Sequence, residues 1–299
     1  MATPATRVEH PEFEGEPVPL HEAYAACEAI VRAHGENFPV AARFLAPERR
    51  LAISAIYAFA RTADDVADAD APSEERVAAL DRIEEALLES LEGSPRGPLL
   101  TALADAVDRF TLPAEPLLDL LRAFRDDARN ATYEVWDDLL GYCRGSANPI
   151  GRLVLALHHV DDPDAVRASD ALCTALQLTN MWQDLGRDLE RGRLFVPLED
   201  LRRFGLDRET LTAKASRPRL TRLLLHECTG TNELFERGRV VCRLAPWPLS
   251  IQLRATVLGG RTVLRAVAQR GWRVLHDRPT LNGWSRARVL TLALAGFDG

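Results

Sequence analysis

Several features of membrane, secreted and nucleic-acid-binding proteins are missing from this sequence. No apolar run in its 299 residues approaches the length of a transmembrane helix, and the N-terminus lacks the apolar core of a signal peptide. The formal net charge of −7 gives none of the basic footprint that nucleic-acid binding requires. These absences predict a cytoplasmic protein with no transmembrane segment and no nucleic-acid partner.

Paired cysteines, period-two alternation and repeats are also missing. The five cysteines are scattered and odd in number, which excludes the clustered pairs that zinc and redox sites use, so buried free thiols are expected. No stretch alternates with period two over enough residues to form a sheet, and no internal repeat or linker divides the chain. The remaining class is an all-helical globular protein.

Helical periodicity is present along most of the chain. Proline and glycine separate apolar-periodic segments, among them residues 48–69 and 165–188, and the 46% hydrophobic content is enough for a substantial core. Residues 1–19 are rich in proline and glutamate, and they predict a flexible or surface-draped arm. Residues 20–299 predict a single all-α domain whose long helices surround a central cavity.

An acidic motif lies near the end of the first of these helices. Asp64, Asp65 and Asp68 lie within little more than one turn and repel one another unless cations neutralise them. Arg61 precedes the first two by three and four residues on the same face, and Tyr57 lies one turn earlier. Magnesium suits the cluster, because a hard ion held by a few carboxylates keeps positions open for phosphate oxygens. A solvated acidic patch is the alternative.

A second acidic motif lies at the end of the helix predicted over residues 165–188. Gln177, Asn180, Asp184 and Asp188 follow at offsets of three, four and four, which places them in one polar stripe. Apolar residues on the adjoining faces indicate that the stripe looks into the protein, toward a polar cavity or bound ions. Facing each other, the two motifs would form a two-sided magnesium site for a diphosphate. A network of buried polar groups is the structural alternative.

Basic and small residues complete the candidate site. Arginine forks match phosphate geometry, and Arg61 and Arg193 are the two arginines that we assign to the site. The segment from Tyr142 to Gly151 reads YCRGSANPIG, and its last glycine would let a bulky group approach the backbone closely. A substrate wall and ordinary helix packing are both open explanations for Gly151.

Together these motifs resemble the squalene and phytoene synthase family of head-to-head prenyl transferases. The resemblance runs from about residue 34 to residue 279. It rests on the first acidic motif with its arginine and tyrosine, the YCRGSANPIG segment, the second acidic motif and the RGRLFVP that follows, in that order. The family implies the all-α isoprenoid synthase fold, prenyl diphosphate substrates and about three magnesium ions per active site, and no NADPH is expected for this chain.

The resemblance also assigns roles to residues. It implies catalytic roles for Tyr57, Arg61, Asp64, Asp68, Tyr142, Asp184 and Asp188. It implies substrate binding by His34, Phe38, Gly151, Gln177, Asn180 and Arg193. The implied magnesium ligands are Asp64, Asp65, Asp68, Asn180, Asp184 and Asp188.

One branch of the family is the most similar, namely the hydroxysqualene synthases of bacterial hopanoid biosynthesis. The NFP at residues 37–39 and Gln183 stand where other branches tend to carry a serine-rich segment and an arginine. This branch implies that presqualene diphosphate and water give hydroxysqualene and diphosphate. The alternatives are condensation of two farnesyl diphosphates and a non-catalytic prenyl-diphosphate-binding member of a pathway complex. Other hopanoid-pathway enzymes and a membrane surface are the further partners implied.

Overall fold

The computed structural model of the chain describes residues 11–33, 45–129 and 131–298. Every regular element in these ranges is a helix, which confirms the predicted all-α class. Two of the predicted substrate-binding residues, His34 and Phe38, lie outside the described residues. The chain forms two compact units, the first of Met1–Ala131 with Leu153–His159 and the second of Thr132–Arg152 with Val160–Gly299.

In its described part the first unit is built around one central helix. It contains a short 3₁₀ helix, Pro11–Phe13, followed by α1 (Leu20–Ala33), α2 (Pro47–Ala67), α3 (Ser73–Leu91), α4 (Gly97–Phe110) and α5 (Glu115–Ala128). Helix α2 packs against α1, α3, α4 and α5. Fully buried alanines at positions 52, 55, 58 and 63 allow this close surrounding, because each keeps the neighbouring helices near the α2 backbone. The first acidic motif therefore projects from the central helix of its unit.

The predicted N-terminal arm includes an ordered contact with this unit. Phe13 is 3% exposed, and its ring meets that of Phe59 edge to face with centroids 6.0 Å apart. The amide of Gly97 also donates a hydrogen bond to the carbonyl of Gly15 at 3.1 Å. Aromatic burial of this kind holds residues 11–15 against α2 and α4. The boundary at residue 19 stays a prediction.

The described part of the second unit is built around α8, the helix of the second acidic motif. Its helices are α6 (Trp136–Ser146), the first part of α7 (Asn148–Leu157), α8 (Pro163–Glu190), α9 (Leu198–Arg203), α10 (Arg217–Gly238), α11 (Val241–Leu244), α12 (Leu249–Arg270) and α13 (Gly283–Leu294), with 3₁₀ helices at Lys214–Ser216 and Gly271–Leu275. Helix α8 packs against α6, α10, α11, α12 and the second 3₁₀ helix. On α8, Trp182 is fully buried, and its Nε1 donates to Thr231 Oγ1 at 2.9 Å. None of the described helices has both the length and the apolar character needed to cross a bilayer.

The cysteines are free thiols, as predicted. Four of the five are buried and Cys173 is half-buried. Burial raises the pKa of the Cys27, Cys173, Cys228 and Cys242 thiols to about 12, so all four are protonated and unreactive near neutral pH.

A buried carboxyl in the second unit makes the free energy of unfolding depend on pH. Glu227 on α10 is 1% exposed, and its Oε1 accepts no hydrogen bond among the described residues. The pKa of Glu227 is raised to about 8, mainly by burial and in addition by the nearby carboxylates of Asp200 and Glu199, against the lowering effect of Arg203. The folded state therefore binds a proton that the unfolded chain releases near its ordinary pKa of 4.5.

We expect the free energy of unfolding to fall by roughly 3 kcal/mol as the pH rises from 5 to 8, because the folded state alone keeps this proton. Glu227→Gln is expected to remove most of that decrease. Urea unfolding curves at several pH values measure the effect, with Glu233→Gln, an exposed residue of the same helix, as the control. Identical pH profiles for the wild type and Glu227→Gln would contradict the assignment.

Candidate functional site

The first acidic motif is an arginine-bridged carboxylate cluster. Arg61 Nη1 lies 3.1 Å from Asp64 Oδ2, and Arg61 Nη2 lies 2.6 Å from Asp65 Oδ1. Each of the three side chains is about one-third exposed. Asp68 caps α2, and its amide donates to the carbonyl of Asp64 at 3.0 Å. Tyr57 is half-buried one turn before Arg61. The predicted spacing of the motif on one helix is present.

Both motifs lie in the C-terminal parts of their helices, where nearby positive charge stabilises the carboxylates. Carboxylates there face the negative end of the helix dipole, which disfavours them. The last turn of α2 contains no basic residue, and Arg61 supplies its compensation from one turn earlier. In α8 the last turn contains Arg187, whose Nη1 is 3.7 Å from Asp184 Oδ1. Each helix end is thus a place where further cations are stabilised.

In the second motif, Asp184 is held by an arginine from far along the chain. Arg278 Nε donates to Asp184 Oδ1 at 2.5 Å, and Arg278 Nη2 donates to Oδ2 at 2.8 Å. This two-pronged pair fixes the orientation of the carboxylate as well as its charge. The Asp184 side chain is 18% exposed and that of Arg278 31% exposed. The pair is therefore accessible to a polar ligand.

Two residues of α8 hold the segment that carries Arg278. Gln183 is 8% exposed, and its Nε2 donates to the carbonyl of Pro279 at 2.5 Å. At Gly186 the backbone of the segment approaches so closely that a Cβ would lie 2.3 Å from the carbonyl oxygen of Leu275. The absence of a side chain at Gly186 allows this approach. Both contacts place Arg278 against Asp184.

Gly186→Ala is expected to destabilise the protein by about 1–3 kcal/mol, because the added methyl group overlaps a backbone atom that has little room to move. Gly230→Ala is the matched control, since a Cβ there meets only the Trp136 ring at an ordinary 3.5 Å, and alanine favours the helix interior. Equilibrium unfolding in urea measures both variants. A Gly186→Ala protein as stable as the control would contradict the close approach.

Asp188 and Arg193 form the second half of this cluster. Asp188 is 8% exposed, and Arg193 Nη2 lies 3.3 Å from its Oδ1. The chain turns after α8 so that the amide of Arg193 also donates to the carbonyl of Asp188 at 2.7 Å. The Arg193 guanidinium lies 6.0 Å from the centre of the Phe195 ring. Arg193 therefore links the acidic helix end to an aromatic group.

That group consists of three rings in the second unit. The centroids of Tyr133 and Tyr142 are 5.5 Å apart, and Phe195 lies 6.1 Å and 5.8 Å from them. The amide of Leu198 donates to the carbonyl of Tyr133 at 2.9 Å, which joins the two chain segments. We call Tyr133, Tyr142 and Phe195 the aromatic cluster. Its ring faces are suited to a cation or an apolar chain.

The other predicted residues of the second unit have different surroundings. Gln177 is half-buried and Asn180 is exposed on α8. A Cβ at Gly151 would lie 2.4 Å from Ser169 Oγ and 2.6 Å from Cys173 Sγ, both on α8. The close approach of α7 to α8 accounts for Gly151. The structure therefore favours helix packing over a substrate wall at this position.

The donor set of each motif fits magnesium bound together with a phosphate. Among the described residues, no three histidine, cysteine or acidic side chains converge into a preformed metal site. Magnesium is usually held by one or two carboxylates plus phosphate oxygens and water, so a preformed cage is not required. Asp64 and Asp68 in one unit and Asp184 and Asp188 in the other supply hard oxygen donors. Magnesium binding by them stays a prediction.

Sequence reasoning missed Arg278 and Phe195. Arg278 is 94 residues from Asp184, so no helical spacing joins them. Phe195 lies two residues after Arg193 within RLFVP, and this short distance is the only feature of the sequence that points to it. Tertiary packing alone brings both residues to the site.

The comparisons with known proteins agree with this arrangement. The squalene/phytoene synthase family model matches residues 31–285. A hydroxysqualene synthase of Rhodopseudomonas palustris is 35% identical over 265 residues, covering 88% of this chain and 87% of that protein. A 15-cis-phytoene synthase of Synechocystis is 31% identical over 297 residues, covering 91% and 87%. The crystal structure of squalene synthase HpnC from Alicyclobacillus acidocaldarius is 39% identical with a TM-score of 0.79, covering 85% of this chain and 97% of that one.

The fold and the sites define an all-α protein with two acidic helix ends balanced by arginines, one of which adjoins a group of aromatic rings. The chain belongs to the squalene/phytoene synthase family, an enzyme family, and has its isoprenoid synthase fold.

Proposed function

We propose that this chain is an enzyme that converts presqualene diphosphate and water to hydroxysqualene and diphosphate in a magnesium-dependent reaction. The observation that carries the diphosphate chemistry is the end of α8, where Arg278 and Arg193 hold two carboxylates of one helix. The choice of product is supported by the similarity to proteins named hydroxysqualene synthase and to squalene synthase HpnC.

The arginines and carboxylates have complementary roles in this proposal. Magnesium held by Asp64, Asp68, Asp184 and Asp188 would supply Lewis-acid stabilisation to the leaving diphosphate. Guanidinium groups donate paired hydrogen bonds to phosphate oxygens as readily as to carboxylates. Arg193 and Arg278 hold their carboxylates through one or two hydrogen bonds and remain partly accessible. They therefore orient the carboxylates and add positive charge where negative charge develops on the leaving group.

The aromatic cluster accounts for the fate of the carbocation. When the carbon–oxygen bond breaks, the diphosphate leaves with the bonding electrons and the carbon skeleton becomes positive. Ring faces of Tyr133, Tyr142 and Phe195 attract such a cation and exclude bulk water from it. Attack by one water molecule on the cation, followed by loss of a proton, gives the alcohol.

The glutamine at position 183 supports the choice of this reaction over others in the family. Other branches tend to carry an arginine at this place, which would add a positive charge. Here the side chain is buried and its amide donates to the carbonyl of Pro279. The position therefore holds the backbone of the Arg278 segment and contributes no charge.

Condensation of two farnesyl diphosphates is the second candidate, because the similar proteins include phytoene synthases. Purified protein should be incubated with magnesium and either presqualene diphosphate or farnesyl diphosphate, each with and without NADPH. We expect hydroxysqualene and diphosphate from the first substrate without NADPH, identified by mass spectrometry. Turnover of farnesyl diphosphate alone to a C30 or presqualene product would support the second candidate.

A non-catalytic prenyl-diphosphate-binding protein is the third candidate. Retention of all four motif aspartates argues against it. Absence of turnover with every substrate, together with a rise in melting temperature on adding magnesium and diphosphate, would support it. Absence of both turnover and stabilisation would contradict the diphosphate site itself.

A further inference from the structure

The C-terminal fifth of the chain has a charge opposite to that of the rest. Residues 239–299 contain ten arginines, two aspartates and neither lysine nor glutamate, a formal charge of +8 in a chain whose net charge is −7. Residues 1–238 therefore carry −15. A segment with this excess of positive charge favours contact with an anionic surface. The basic part includes α11, α12 and α13 of the second unit.

Some of these arginines are neutralised within the protein, and others are not. Asp298 Oδ1 lies 3.5 Å from Arg239 and its Oδ2 3.2 Å from Arg243. Glu236 Oε1 lies 2.7 Å from Arg261. Arg265 on α12 and Arg288 on α13 are exposed, and neither forms an ion pair with another residue in the described part of the chain. Their charges are available to an external anion.

Arg265 and Arg288 line a groove between α12 and α13. The groove has a volume of about 290 Å³, and Arg261, Thr262 and Ser285 are the other polar side chains along it. Its remaining walls are apolar. They consist of Leu258, Val289, Leu292 and Phe297. A groove with guanidinium groups and aliphatic walls matches a ligand that has an anionic head and an apolar body.

Three large apolar side chains on or just after α13 are exposed. Trp284 is 81% exposed, Phe297 59% and Leu294 51%. Helix α13 buries only Ala293 of its twelve residues, so most of its surface has no partner in the described chain. Tryptophan next to arginine is typical of surfaces that lie at the boundary between lipid headgroups and acyl chains.

We propose that Arg265, Arg288, Trp284 and Phe297 form a docking surface for a bilayer of anionic phospholipid. We call these four residues the C-terminal basic surface. The arginines would pair with headgroup phosphates while the aromatic rings enter the interface. The proposal does not depend on which reaction the protein catalyses.

Cosedimentation of the full-length protein with vesicles tests this surface. We expect binding to vesicles of phosphatidylcholine with one-quarter phosphatidylglycerol, little binding to pure phosphatidylcholine, and loss of binding as salt is raised. Arg265→Glu/Arg288→Glu is expected to lower the partition coefficient by about 25-fold or more, from a factor of about five for each arginine lost. Arg167→Glu/Arg222→Glu changes two exposed arginines of the same unit and should have a much smaller effect.

Fluorescence identifies the inserted aromatic ring. Addition of anionic vesicles should shift tryptophan emission to shorter wavelength, and Trp284→Phe should remove most of that shift while circular dichroism stays unchanged. Equal binding by both double variants would overturn the proposal. Absence of binding to anionic vesicles would also overturn it. A dimer seen by gel filtration without lipid, with Trp284 emission already at short wavelength, would overturn it as well.

Discussion

Replacing Asp184 with alanine is expected to lower kcat/KM for presqualene diphosphate by at least about 100-fold. The carboxylate lies in the C-terminal part of α8, receives two hydrogen bonds from Arg278, and is one of two motif acids on that helix. Alanine removes a magnesium donor and also releases Arg278 from its fixed orientation. Steady-state kinetics at several magnesium concentrations measure the loss.

The same helix supplies a matched control for this variant. Asp170 forms a two-pronged pair with Arg152 at 3.1 Å and 2.8 Å, outside both acidic motifs. Asp170→Ala thus removes an equivalent pair from α8, and it should leave kcat/KM within about threefold of the wild type, since Asp170 lies near the opposite end of the helix from Asp184. If Asp184→Ala retained full turnover, or if the two variants lost activity equally, the assignment of the second motif would be wrong.

Replacing Arg278 with alanine is expected to lower turnover by about 10- to 100-fold, in the range found when a group that orients a metal ligand is removed. Its Nε and Nη2 hold both oxygens of Asp184. Without them the carboxylate rotates more freely and the site loses one positive charge. Arg278→Lys keeps the charge but not the fork, so it should recover only part of the activity.

A magnesium titration separates orientation from general damage to the fold. The concentration of magnesium that gives half-maximal stabilisation against thermal unfolding, with diphosphate present, should rise in Arg278→Ala and Arg278→Lys. Arg152→Ala removes the equivalent arginine from Asp170 and should leave that concentration unchanged. Loss of activity in Arg278→Ala without any change in the titration would reduce Arg278 to a structural role.

Much of the local structure was readable because it depends on spacing along one helix. The residues of the first motif lie on α2 as predicted, since positions three and four apart share a face whatever surrounds the helix. Burial of four cysteines also follows from composition, because unpaired thiols behave as small apolar groups. Gly151 shows the limit of such reasoning. Its lack of a side chain was visible in the sequence, but its neighbours Ser169 and Cys173 were not.

By itself, the sequence determined the all-α class, the two acidic motifs and the family resemblance, because each follows from residue types at short spacings. Only the tertiary structure decided that Arg278 holds Asp184, that Phe195 joins Tyr133 and Tyr142, and that Gln183 binds a backbone carbonyl instead of a ligand. These contacts join residues as far as 96 positions apart. The contacts of Asp184 and Gln183 form because α8 packs against the C-terminal segment, and the aromatic cluster forms because the segments around residues 133 and 195 are joined by a backbone hydrogen bond. No local pattern encodes either approach.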